Sequence, residues 1–211
     1  MCKRLFTLAA VGVCLLTWGG AARAQKHDAP RYEVGALFSS ITLAPNNGER
    51  TEPGVGARFT ININDHFALE AETTLFPNSG FSAEERASGR GWQGLFGVKA
   101  GKRWEKFGVF AKARPGFTSF SQGHFILELD NTGNFVSSRV ERATHFTTDV
   151  GGVLEFYPTR RIVTRFDAGD TIIRYGAQTQ RNFFPPPATF TLPAATRHNF
   201  QFSAGISFRF D

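Results

Sequence analysis

From Asn199 to Phe210 the chain alternates without a break: Phe200, Phe202, Ala204, Ile206, Phe208 and Phe210 interleave with Asn199, Gln201, Ser203, Gly205, Ser207 and Arg209. Alternation with a period of two predicts a β-strand with one apolar and one polar face. The same pattern recurs in residues 31–43 (RYEVGALFSSITL) and in residues 54–63 (GVGARFTINI), where Val55, Ala57, Phe59, Ile61 and Ile63 share a face. Asn64-Asp65 supplies turn chemistry, and residues 66–76 (HFALEAETTLF) return with Phe67, Leu69, Ala71 and Leu75, which predicts a hairpin.

Further strands are predicted at residues 91–104, 107–117, 145–157 and 161–175. Tight turns are expected at Glu105-Lys106 and at Pro158-Thr159-Arg160, and long loops at residues 77–89, 118–143 and 176–197. The resulting eight strands have connections that alternate long and short, so all short turns fall at one end of a sheet and all long loops at the other. Leu95, Phe110 and Val153 break the pattern by falling on the polar parity, and Gly169-Asp170 is expected to form a bulge that shifts the register of its strand.

The polar faces decide which way the apolar stripes point. They carry Arg58, Glu70, Glu72, Lys99, Lys112, Arg114, Asp149, Glu155, Arg165, Asp167 and Arg209, together with Gly54, Gly56, Gly97, Gly101, Gly108, Gly116, Gly151 and Gly205. A water-facing strand face gains nothing from so many glycines, each costing roughly 0.5–1 kcal/mol. The lumen of an eight-stranded barrel, only just wide enough for its own side chains, does need them. The charges are therefore expected to pair inside, and the Phe, Ile, Leu and Val stripes to face lipid, where charges would cost about 2 kcal/mol or more each. Tyr32, Phe76, Trp92, Trp104, Phe107, Phe117, Tyr157, Tyr175 and Phe210 gather near strand ends, as residues of the water–lipid interfaces do.

Residues 1–24 read as a secretory signal peptide: Lys3 and Arg4, an apolar run, then an Ala-x-Ala pattern at Ala22 to Ala24. The expected mature domain is residues 25–211. Both cysteines, Cys2 and Cys14, lie in the leader, which excludes a disulfide framework in that domain. Losing Lys3, Arg4 and Arg23, with no acid among residues 1–24, lowers the formal charge from +6 to +3 and removes most of the case for a nucleic-acid partner. A mean hydropathy of −0.21 is no argument against a membrane barrel, because alternating strands average their two faces.

The leader, the amphipathic strands and a last strand ending in aromatics resemble the small eight-stranded outer-membrane β-barrels typified by the transmembrane domain of outer membrane protein A. The resemblance implies an all-β, antiparallel, up-and-down transmembrane barrel in the bacterial outer membrane, with short periplasmic turns and long extracellular loops. In that family the last strand carries an assembly signal, matched here by Ser203, Gly205, Phe208 and Phe210, which implies the barrel-insertion machinery and outer-membrane lipid as partners. Asp211 departs from the pattern by making the aromatic residue penultimate.

Little else suggests chemistry. His27, His66, His124, His145 and His198 lack metal-ligand spacing, so neither metal nor cofactor is expected. Some eight-stranded outer-membrane barrels are lipid-modifying hydrolases with a histidine and a serine two residues apart, and His145, Thr147 and Asp149 resemble that arrangement, with threonine as a poorer nucleophile. The segment NFFPPPATFTLP places Phe183, Phe184 and Phe190 beside a stiff proline run as a possible extracellular contact surface. The adopted expectation is a non-enzymatic barrel with a charge-filled, closed lumen and a structural or contact-making role. The alternatives are a lipid-modifying hydrolase and a secreted soluble calyx-type carrier.

Overall fold

Strand propensity and alternation produce long antiparallel ladders. The computed structural model describes residues 30–43, 50–77, 87–129, 135–182 and 188–211. The expected leader therefore lies outside the described residues. The strands are β1 (Tyr32–Leu43), β2 (Arg50–Asn62), β3 (Phe67–Phe76), β4 (Gly91–Arg103), β5 (Phe107–Leu129), β6 (Phe135–Phe156), β7 (Ile162–Tyr175), β8 (Gln178–Asn182), β9 (Ala188–Leu192) and β10 (Ala195–Phe210). Eight of them close into a barrel in the order β1-β10-β7-β6-β5-β4-β3-β2, and β8 and β9 pair separately as a small hairpin. Closure leaves no barrel edge, because β1 pairs with β10 from Tyr32↔Phe210 to Thr42↔Phe200.

The orientation is unambiguous. Phe59, Phe96, Phe202 and Phe208 are 40, 60, 38 and 48 % exposed on the outer wall, whereas Glu70 and Lys112 are 1 and 4 % exposed inside. Among the described residues no helix is long and apolar enough to cross a membrane. Aromatic pairs mark the turn end of the wall: Trp104 stacks on Phe107 at 4.7 Å, and Tyr32 on Phe210 at 5.7 Å. At the loop end Trp92 meets Phe117 edge-on at 5.0 Å.

Some inward glycines leave room for side chains, as Gly54 does for Phe76 and Gly108 for Tyr157, but others meet backbone. A Cβ at Gly97 would lie 2.1 Å from the Ala113 carbonyl oxygen and 2.6 Å from Arg114 Cα, and one at Gly116 would lie 2.0 Å from the Gly94 carbonyl oxygen. At these two positions the obstacle is the backbone of the next strand. At so small a radius the inner faces of adjacent strands crowd together, and a side chain there would prevent their approach.

Other expectations need correction. Residues 118–143 are not simply a loop: β5 and β6 continue as a two-stranded hairpin beyond the rim, with a register shift between Phe120 and His124. Gly169-Asp170 forms no bulge, since β7 keeps unbroken register with both neighbours there. Gly169 faces inward against the Val150 carbonyl, and Asp170 faces outward, where its carboxylate meets His198 Nδ1 at 2.5 Å. Leu95, Phe110 and Val153 point into the lumen as their parity dictates. Phe76, Tyr157 and Tyr175 also belong to the interior rather than to the lipid interfaces, with Phe76 and Tyr175 buried at the loop end and Tyr157 bonded to lumen side chains at the turn end.

Candidate functional site

The lumen is stacked in layers. Its middle is a cluster of ions contributed by β2 to β7. Arg165 on β7 grips Glu70 on β3 through both terminal nitrogens, one of them at 3.0 Å, and reaches Asp167 on its own strand at 2.7 Å. Arg58 bridges Glu72 at 2.8 Å and Asp167 at 2.7 Å. Arg114 joins Glu72 at 2.7 Å to Asp149 at 2.6 Å, and Lys112 adds a second cation to Asp149 at 2.8 Å. Lys99 pairs with Glu155 and lies 3.5 Å from Glu70. Dry charges are tolerated only when paired and hydrogen-bonded, and here partners on strands far apart in sequence meet across a narrow axis.

Toward the turn end Arg209 carries the network to Glu33, Arg103 and Asn62, which the alternation alone did not single out. Arg209 donates to Glu33 at 2.8 Å and stacks over the Tyr157 ring at 4.3 Å. Arg103 donates to the Tyr157 hydroxyl at 3.1 Å and to Asn62 Oδ1 at 3.0 Å, and Tyr157 donates in turn to Glu155 at 2.9 Å. Burial, reinforced by the Glu155 carboxylate, pushes the Tyr157 phenol up to about 12, so it stays a neutral donor in this role. Phe110 presents its face to Lys99, 4.7 Å from the ring centre, which gives an inward phenylalanine a favourable partner.

Toward the loop end, uncharged polar groups replace ions. Gln93 and Gln201 exchange amide bonds across the lumen, the shorter at 3.1 Å, and Gln201 also donates to Ser39 and accepts from Thr171. Above them Ile41, Leu43, Phe76, Ala87, Phe120, Ile173 and Tyr175 form a buried apolar cap. His145 sits within it, 4.6 Å from the Tyr175 ring and 6.1 Å from Phe120. At the mouth Glu52 is buried beside Arg50, 2.5 Å away, and Arg50 also donates to the Ala87 carbonyl.

All the charged residues expected in the lumen are present in this network. His145, Thr147 and Asp149 share the inner face of β6: Thr147 donates to Thr118 at 2.8 Å and lies 3.4 Å from the His145 carbonyl oxygen, and the Asp149 carboxylate is held by Arg114 and Lys112. All three are buried. A calyx for an apolar ligand is missing among the described residues, because the axis is occupied by ion pairs. Ser203 and Gly205 face the lumen, and Phe208 and Phe210 face outward. Phe183 and Phe184 lie outside the described residues; Phe190 lies on β9, opposite Gln180, and its side chain is outside the described residues. His27 and the side chain of His124 are also outside them. His66 Nδ1 lies 2.9 Å from the Gly101 carbonyl oxygen. No group of three or more His, Cys, Asp or Glu among the described residues could hold a metal ion.

Comparison with known proteins agrees with this architecture. Neisserial surface protein A (NspA) superimposes with a TM-score of 0.53 at 13 % identity, covering 85 % of this chain and 97 % of that one. The outer membrane protein OprG from Pseudomonas aeruginosa gives a TM-score of 0.53 at 10 % identity, covering 87 % and 97 %. At such identities the likeness is one of fold. No curated protein sequence matches the chain. The family described as "Outer membrane protein beta-barrel domain" matches residues 11–210. With its lipid-facing aromatic wall and ion-filled axis, this chain belongs to the outer membrane protein β-barrel domain family and is a bacterial outer-membrane protein.

Proposed function

We propose that this outer-membrane barrel is closed along its axis and acts through what it presents outside the cell. The observation that carries this reading is the lumen's filling: an ion layer, an amide and hydroxyl layer and an apolar cap, with Lys99, Arg114, Thr147, Asp149 and Glu155 inaccessible to water. Barrels of eight strands have interiors just wide enough for side chains. The β5–β6 hairpin extends nine residues past Phe120, about 30 Å along the strand at 3.3 Å per residue. It presents Val136 and Val140 to solvent, with Arg139 and Glu141 paired at 2.9 Å. In the same reading Ser203, Gly205, Phe208 and Phe210 are the contact for the barrel-insertion machinery, and no residue is assigned to catalysis.

In planar bilayers the protein is expected to give no discrete conductance steps in molar salt. Sustained steps from the unaltered protein would dismiss the closed axis. On intact cells, trypsin is expected to cut the hairpin after Arg139 or Arg142, both exposed, and to leave the barrel resistant. If mass spectrometry finds those bonds cut only in lysed cells, the hairpin does not project outward.

A further inference from the structure

The interior pairs its cations closely, but one arc of the turn end leaves four of them exposed. Lys102 closes the outer face of β4, Lys106 lies in the β4–β5 turn, and Arg160 and Arg161 lie in the β6–β7 turn. None of the four has an ion-pair partner among the described residues. The two turns are neighbours in space, because the Tyr157 amide donates to the Lys106 carbonyl at 2.9 Å; on its other side the β6–β7 turn meets β10, where the Arg209 amide donates to the Arg161 carbonyl at 2.8 Å. Glu105 is the single acid on the two turns; among the described residues the rest of the turn end exposes Arg31 and Asp211, with Asp65 half-buried, and has no such excess.

The height of the arc is fixed by the side chains around it. Phe107, Val109, Leu154 and Phe156 are exposed on the wall immediately above. Trp104 stacks on Phe107, and the Lys102 ammonium lies 5.4 Å from the Trp104 ring centre. Aromatics of this kind lie at the headgroup level, and long basic side chains keep their stems along apolar surface while their charges reach the polar layer. Free ammonium and guanidinium groups at that depth meet the phosphates of the periplasmic leaflet, and arginine's planar fork suits phosphate oxygens.

We propose that the arc of Lys102, Lys106, Arg160 and Arg161 binds the headgroup of an anionic glycerophospholipid in the periplasmic leaflet. The arc selects by net charge: a zwitterionic headgroup brings its own cation close to the arginines, whereas phosphatidylglycerol does not.

The test uses the protein in lipid vesicles, with Trp92→Phe so that beyond Trp18 the emission comes from Trp104. Brominated phosphatidylglycerol is expected to quench Trp104 with a relative affinity about tenfold above brominated phosphatidylcholine at low salt. Adding Lys106→Gln, Arg160→Gln and Arg161→Gln should bring the ratio to about 1, with the phosphatidylcholine curve and heat-dependent gel migration unchanged, which shows that the barrel still folds. Equal curves in the parent protein, or a preference that survives the triple substitution, would overturn the proposal. So would loss of the preference in millimolar inorganic phosphate, which would mark a general anion site. Binding to isolated peptidoglycan that the triple variant loses, without any lipid preference in the parent, would reassign the arc to the cell wall.

Discussion

Replacing Arg165 with methionine is expected to cost the folded barrel about 3–5 kcal/mol, the usual consequence of removing one partner from a buried ionic network. Arg165 is the main cation on Glu70, shares Asp167 with Arg58, and lies 3.6 Å from Glu155. Methionine fills part of the volume but leaves the Glu70 carboxylate with only Lys99 and Arg114 at 3.5 and 3.6 Å. The measurement is urea unfolding in detergent or lipid, followed by tryptophan emission and by the temperature at which the compact gel band is lost. Removing the acid as well, with Arg165→Met and Glu70→Gln together, should recover part of the loss and give a coupling of roughly 1–3 kcal/mol. A loss below about 1 kcal/mol for the single variant would mean that water fills the axis and screens the cluster.

The second large effect is on the outer wall. Val98 faces outward on β4, six residues from Trp92 and six from Trp104, and so lies near the middle of the apolar band. Val98→Arg is expected to destabilise the barrel in lipid by about 2–4 kcal/mol, against little change for Val98→Leu. Equilibrium folding into vesicles measures both. A neutral Val98→Arg would mean that this wall faces water, the one outcome that would revive a soluble carrier.

Sequence periodicity revealed the barrel and its ion pairs for one reason: lipid outside and crowded charge inside impose opposite chemistry on successive residues. Where that contrast fades, the reading failed. Residues 118–143 carry no sustained alternation of apolar and polar positions and read as a loop, although β5 and β6 stay paired out to Leu129↔Phe135. Leu95, Phe110 and Val153 obey the parity but not the polarity, since an inward phenylalanine beside Lys99 is satisfied by its ring face. Phe76 and Tyr175 end strands, where interface aromatics are expected, but parity points them inward, to the apolar cap. Glu33, Glu52, Arg103 and Asn62 could have been found from the same parity, but their positions near strand ends made solvent the simpler expectation.

Some of the bonds that neutralise the axis lie within a hairpin, such as Arg58 to Glu72 and Arg114 to Asp149, but others join residues far apart along the chain: Arg165 to Glu70 across 95 positions, and Arg58 to Asp167 across 109. No single hairpin can form them during insertion. The seam between the first and last barrel strands must come together before these charges can be discharged against one another, so sealing the wall and quieting the interior become a single late event. A half-inserted chain still has Glu70 and Asp167 waiting for partners on distant strands, and it must keep them wet until the circle is complete.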